Sequence, residues 1–269
     1  MVRKIEEYMI DKVENLKSLG LISFDKYGCK TYMPYEGKVA AVLDKLKAAF
    51  QKSDLERDKE LFLYANRLLI GIIDYALQRK ANLLETKQEA ETFCLEAFRG
   101  NYESAKRMIE NMRFSQNLLK SEVKENEDNI SWNSFDPEIL RKLIKKLGRE
   151  VKYDFVVLDG HDSYRPGFMV ASAIGSKTYA IRNAQDSGRD STPRLLVDEE
   201  QYIRENFYNK NILIFGEDVS TGRAISSLSS LVERVSRPKN IVTASSIFIP
   251  GSPLEIRLDY YGEEKNRFR

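Results

Sequence analysis

Ile212-Leu213-Ile214-Phe215-Gly216-Glu217-Asp218-Val219-Ser220-Thr221-Gly222-Arg223-Ala224 is the stretch on which the reading of the fold turns. It opens on four consecutive apolar residues, passes an acidic corner and a hydroxyl-rich turn, and enters residues 223–235, whose apolar spacing is helical. Backbone N–H groups at a helix N-terminus have no intrahelical partner, and the helix dipole favours an anion beside them. Ser220 and Thr221 add hydroxyl donors, and Gly222 lets the backbone approach a ligand closely. Carboxylates on the strand side, Glu217 and Asp218, are poor phosphate ligands. They are good acceptors for vicinal sugar hydroxyls and can help to hold Mg²⁺. A ligand with a phosphate at one end and a diol at the other satisfies both parts of the segment. Ribose 5-phosphate is such a ligand.

Working outward, the pattern predicts alternating strands and helices. Residues 153–158 form a short apolar strand run, followed by a turn-rich segment from Asp159 to Gly167. A helix over 168–174 closes at Gly175, a strand follows over 177–182, and a polar, glycine-containing loop covers 183–194. Strands over 211–215 and 241–249 flank the helix over 223–235. Apolar strands alternating with helices argue for a parallel sheet covered on both faces, with ligands at the carboxyl ends of the strands. The loops after Leu158, Arg182 and Phe215 are therefore where functional residues are expected.

The segment resembles the type I phosphoribosyltransferases, which carry an apolar strand, two acidic residues and a Thr-Gly turn opening a helix. A gapless match to the variant form Asp-Asp-Glu-(Ile/Val)-Ser-Thr-Gly-(Lys/Arg)-Thr puts Gly216 at the first acidic position, Glu217 at the second and Asp218 at the third. Val219, Ser220, Thr221, Gly222 and Arg223 fit unchanged, and Ala224 replaces the closing threonine. The resemblance spans residues 153–250. It implies a phosphoribosyltransferase-like α/β domain preceded by an α-helical N-terminal region, Mg²⁺ as cofactor, and phosphoribosyl pyrophosphate or a nucleotide as ligand. Glu217 and Asp218 would hold the ribose hydroxyls and the metal, and Val219 to Ala224 the 5-phosphate. Asp159, Gly160, His161 and Arg165 would face pyrophosphate. Arg189, in the polar loop, would belong to a mobile lid that excludes water. The resemblance also leads us to expect a homo-oligomer or a subunit of a complex.

Two departures bear on activity. Gly216 removes one of the acids that the family uses against the ribose hydroxyls, at a cost of about 1.5–3 kcal/mol for a charge-assisted hydrogen bond. Asp159 and Asp162 stand where pyrophosphate is expected, and they repel a polyphosphate unless Mg²⁺ bridges them. The chain is thus either a phosphoribosyltransferase acting between pyrophosphate and a nitrogenous base, or a nucleotide-sensing regulator with a reduced site. Glu217 with an intact Ser-Thr-Gly favours the first, Gly216 the second. Ordinary readings stand beside the functional ones: His161 as a surface or structural histidine, Arg165 as a helix-start arginine, and the Arg189 segment as a plain surface loop.

The first half reads as helices, over 4–18, 37–50, 55–80, 88–98 and 102–117, with a small hairpin at 21–32. At the run Leu68-Leu69-Ile70-Gly71-Ile72-Ile73 the long helix is apolar on much of its circumference and belongs at the centre of a bundle. Tyr64, Tyr75, Phe93 and Phe98 fall at helical spacing and read as core. The polar stretch 122–129 is the candidate linker, and Asp136-Pro137-Glu138 starts a helix through Leu147. This divides the chain into a helical domain at 1–130, a candidate surface for a protein partner, and the α/β domain at 131–269.

Composition sets limits. The 43 basic and 41 acidic residues leave a net charge of +2, so the whole chain has no electrostatic case for nucleic acid. Cys29 and Cys94 are too far apart in sequence to suggest a metal motif, and read as thiols in a reducing compartment. The single histidine rules out a site needing two imidazoles. No apolar run approaches a membrane span, and the acidic start lacks the apolar core of a signal peptide. A cytoplasmic protein with no membrane partner is the expectation.

Overall fold

The computed structural model describes residues 23–25, 28–30, 35–125, 137–148, 151–183, 192–219, 222–248 and 258–264. Strands β1 (Ser23–Asp25) and β2 (Gly28–Lys30) pair antiparallel as the hairpin that the aromatic and β-branched pattern predicts. The helix expected over 4–18 lies outside the described residues. Strand β3 (Tyr35–Lys38) is followed by helices α1 (Val39–Ala49), α2 (Asp54–Arg79), α3 (Leu84–Arg99), α4 (Tyr102–Asn111) and the short α5 (Gln116–Leu119). The chain then returns as β4 (Glu122–Glu125), antiparallel to β3. This corrects the reading of 122–129 as a linker over its first four residues. The polar run alternates around a buried Val123, and Lys124 pairs with the cross-strand Glu36 at 2.8 Å. A partner more than eighty residues away gives no local signal.

Helix α2 lies at the centre of the bundle, with Leu61, Leu68, Leu69 and Ile72 buried. Gly71 permits this. A Cβ there would stand 2.7 Å from Val123 Cγ2 and 2.8 Å from Val39 Cγ2.

The second half holds α6 (Pro137–Leu147), β5 (Phe155–Asp159), α7 (Gly160–Ile174), β6 (Lys177–Ile181), α8 (Val197–Asn206), β7 (Asn211–Val219), α9 (Arg223–Ser236), β8 (Asn240–Phe248) and β9 (Tyr260–Glu264). Its five strands form one parallel sheet in the order β6-β5-β7-β8-β9. The chain is an α/β protein whose parallel sheet is preceded by a helical region. Alternation along the strands divides the core. Phe155, Val157, Tyr179, Ile181, Ile212 and Ile214 pack with Ile203 and Phe207 of α8 and its continuation, and with Ile225, Leu228 and Val232 of α9. Val156, Leu158, Ala180, Leu213 and Phe215 share a second core with α6, α7 and the helices of the first half. Phe98 of α3 stacks on Phe168 of α7, centroids 6.1 Å apart and planes within 7°. No sheet among the described residues draws strands from both halves, but this second core is continuous across them.

Four elements of the second half differ from expectation. Helix α7 starts at Gly160, directly after β5, and replaces the turn-rich loop predicted for 159–167. Gly160 adopts φ +75°, which turns strand into helix in one residue, and a Cβ there would lie 2.6 Å from the Asn183 carbonyl oxygen. The turn-forming residues that suggested a loop are instead the first helical turns, and Pro166 is accommodated inside the helix. Strand β7 runs on to Val219, so Glu217 and Asp218 are strand residues and not a corner beyond it. The equally long β8 supplies the partners that extend it, through Val219↔Phe248. Helix α8 and strand β9 were not anticipated. Both are short and polar, with α8 leaving Val197 86% exposed, so neither carries a strong period.

Candidate functional site

The carboxyl ends of β5, β6 and β7 meet where the parallel sheet predicts a ligand site. Asp159 ends β5, and its Oδ1 accepts a 2.7 Å hydrogen bond from Asn183 Nδ2. The same amide donates to the carbonyl oxygen of Ala224, 3.2 Å away in the first turn of α9. Asn183, two residues past β6, thus ties the ends of two strands to the start of a helix. On the neighbouring strand, one position beyond the Leu158↔Phe215 pair, lies Gly216. A Cβ at residue 216 would be 3.2 Å from Val219 Cγ2, 3.4 Å from Ile225 Cδ1 and 3.9 Å from Asp159 Oδ2.

Glu217 is 5% exposed and Val219 6%, so Glu217 is a buried carboxylate. Asp218 continues the strand opposite Ile247 of β8. Ser220 and Thr221 lie outside the described residues. Gly222 takes up the chain at φ 74° as the residue before α9, and Arg223, exposed, begins that helix, followed by Ala224. Strand, acids and helix start therefore follow one another as the segment predicts, with strand and helix almost abutting.

At the start of α7, Gly160 is buried and His161 partly so. His161 Nε2 lies 3.5 Å from Asp74 Oδ1, and Arg182 Nη1 donates to the same oxygen at 2.7 Å. Asp74 comes from α2, so the helical half reaches the carboxyl end of the sheet. Burial raises the pKa of its carboxyl, but His161 and Arg182 outweigh that and hold it below the usual range. Asp74 and Asn183 are site residues that the sequence reading missed. A lone acid closing the apolar run at Leu68–Ile73 was the available signal for Asp74, while Asn183 had only its place after a strand.

Asp159 and Gly160 thus come together beside Gly216 and Asn183, with His161 against Asp74. Arg165 goes elsewhere: it is 5% exposed, donates to the Leu63 carbonyl oxygen at 3.4 Å and lies over the Phe62 ring. Asp162 is exposed on α7. Arg189 lies outside the described residues.

Among the described residues no three His, Cys, Asp or Glu side chains are grouped as a metal cage. Carboxylates at the adjoining ends of β5 and β7 nonetheless suit Mg²⁺, which binds through one or two carboxylates plus water and substrate oxygens. No helix among the described residues is long and apolar enough to cross a membrane.

No family model matches the chain, and no curated protein does. Solved structures do. A purine phosphoribosyltransferase from Pyrococcus horikoshii aligns over 47% of this chain and 80% of its own, with 17% identity and a TM-score of 0.37. A hypothetical protein from Neisseria gonorrhoeae with bound ppGpp aligns over 48% of this chain and 78% of its own, with 16% identity and a TM-score of 0.37. Neither likeness assigns a ligand or an activity to this chain.

Proposed function

We propose that the carboxyl end of the sheet binds ribose 5-phosphate with Mg²⁺, and that the protein transfers a 5-phosphoribosyl group between pyrophosphate and a nitrogenous base. The observation that carries this reading is the passage of β7 through Gly216, Glu217 and Asp218 into the start of α9, beside Asp159 and the start of α7. In this reading Glu217 and Asp218 hold the sugar hydroxyls, and the turn from Val219 to Ala224 takes the 5-phosphate on backbone N–H groups. Gly160 and His161 face the pyrophosphate, with Mg²⁺ held by Glu217 and Asp218, and Arg189 belongs to the covering loop. Mg²⁺, when bound, neutralises charge on the leaving pyrophosphate. The protein's share is positioning and electrostatic stabilisation of an oxocarbenium-like transition state.

A second reading, a nucleotide-sensing regulator acting through a protein partner of the helical half, is favoured by two observations. Gly216 replaces an acid, and the interior claims Arg165, leaving less positive charge for pyrophosphate. The test is incubation with phosphoribosyl pyrophosphate, Mg²⁺ and a panel of purine and pyrimidine bases, reading pyrophosphate release. Release that depends on one base is expected for the enzyme. Binding of phosphoribosyl pyrophosphate or a nucleoside monophosphate without release would select the regulator. Binding of neither would overturn both.

A further inference from the structure

We propose that Asp159 supplies the carboxylate that Gly216 lacks, so that the sugar hydroxyls are met by an acid at the end of the adjacent strand. The inference rests on the reading of the site as one for ribose 5-phosphate. Asp159 and Gly216 occupy neighbouring positions at the ends of β5 and β7. The alternation that sends Phe155, Val157, Ile212 and Ile214 towards α8 and α9 puts both on that face as well. A Cβ on residue 216 would come within 3.9 Å of Asp159 Oδ2. An aspartate there would therefore bring its charge against Asp159. Two carboxylates at that distance do not both ionise without a cation between them. Glycine at 216 and aspartate at 159 thus form one arrangement, in which the charge has moved to the adjoining strand.

Asn183 orients this carboxylate. Its amide holds Asp159 Oδ1 at 2.7 Å, and it is the other oxygen, Oδ2, that lies towards Gly216. Asn183 is 8% exposed, and its own Oδ1 is buried with no hydrogen-bond partner among the described residues. Burying an unpaired amide oxygen is costly, and a hydroxyl-bearing ligand next to Asp159 offers the missing donor. Asp159 is a ligand-binding residue in this account, and Asn183 a positioning residue.

Calorimetric titration of the intact protein with ribose 5-phosphate and Mg²⁺, and separately with inorganic phosphate, tests the proposal. Asp159→Asn keeps an acceptor for the Asn183 amide while removing the charge. It should weaken ribose 5-phosphate by roughly tenfold or more, the equivalent of one charge-assisted hydrogen bond, and leave inorganic phosphate no weaker. Adding Gly216→Asp to that variant should recover most of the loss, whereas Gly216→Asp alone should weaken binding, with Gly216→Ala as the control for added bulk. If aspartate at 216 prevents folding, the two ligands on Asp159→Asn alone decide. Equal losses for both ligands, or no loss for either, would overturn the proposal. If Glu217→Gln lost ribose 5-phosphate while Asp159→Asn did not, the site would stand and this assignment would fall. No binding of ribose 5-phosphate by the unaltered protein would remove the site reading itself.

Discussion

Asp74 shows how a single carboxylate links the helical half to the sheet. It accepts from Arg182 and lies beside His161, and those neighbours hold its carboxyl below the usual value of 3.8. A carboxylate with a depressed pKa stabilises the fold above its unfolded value, and the contribution is lost as pH falls through the folded value. Asp74→Asn should therefore cost about 1.5–3 kcal/mol at pH 7, the range for a hydrogen bond to a charged group. The difference from the unaltered protein should shrink as pH is lowered from 5 towards 3. Denaturant unfolding of both proteins across that range checks it, and a difference independent of pH would contradict the role given to the charge. At this scale the sequence was partly legible. The strand through Phe215 and the helix start after Gly222 were legible from a local pattern, which is short in range and rich in special residues. Asp74 and Asn183 were not, because their contacts are with residues distant in sequence, Arg182 lying 108 residues from Asp74, and Asp159 and Ala224 lying 24 and 41 residues from Asn183.

Elements were legible where their period was strong. Helices α1 and α2 and strands β5 to β8 lie within a few residues of the spans that apolar spacing predicts. The misreading at 159–167 has a definite cause, since Asp, Gly, Ser and Pro serve equally for a turn and for the first turns of a helix. The edge strand β6 illustrates a device that no pattern announces. Its outer N–H at Ala180 is capped by Glu91 of α3, with a hydrogen bond of 2.9 Å, which shields an otherwise open sheet edge. Glu91 is fully buried near Lys87, whose ammonium pairs with Glu199 and lies over the Tyr179 ring. Burial pushes the Glu91 carboxyl up to about 8. A carboxyl with a raised folded pKa favours the fold at low pH, and that advantage declines as pH rises from its ordinary value of 4.5 to about 8. Glu91→Gln retains an acceptor for Ala180 and cannot ionise. It should match the unaltered protein near pH 5 and exceed its stability by about 1–2 kcal/mol at pH 9, since each pKa unit is worth about 1.4 kcal/mol before relaxation reduces it. Thermal melts at the two pH values check the sign, and a variant less stable at pH 9 would contradict it.

Over the whole molecule, the helical half takes the place of a covering layer. Among the described residues no sheet draws strands from both halves, while Phe98 on Phe168 and Arg165 on the Leu63 carbonyl oxygen bind the two halves through one core. Composition and spacing report which elements form, but not which faces they cover, so this packing was not legible beforehand. Its consequence is positional, because the layer brings Asp74 to the carboxyl ends of the strands. The central claim concerns Glu217. It is 5% exposed, so glutamine, which preserves its volume, isolates the charge better than alanine would. Asp218→Asn is the companion variant, and it should have the smaller effect if the gapless match has the right register. The deciding measurement is calorimetric titration of the unaltered protein and Glu217→Gln with ribose 5-phosphate and Mg²⁺. The account predicts saturable binding that Glu217→Gln weakens by about 1.5–3 kcal/mol. Equal affinity in the two proteins would contradict it.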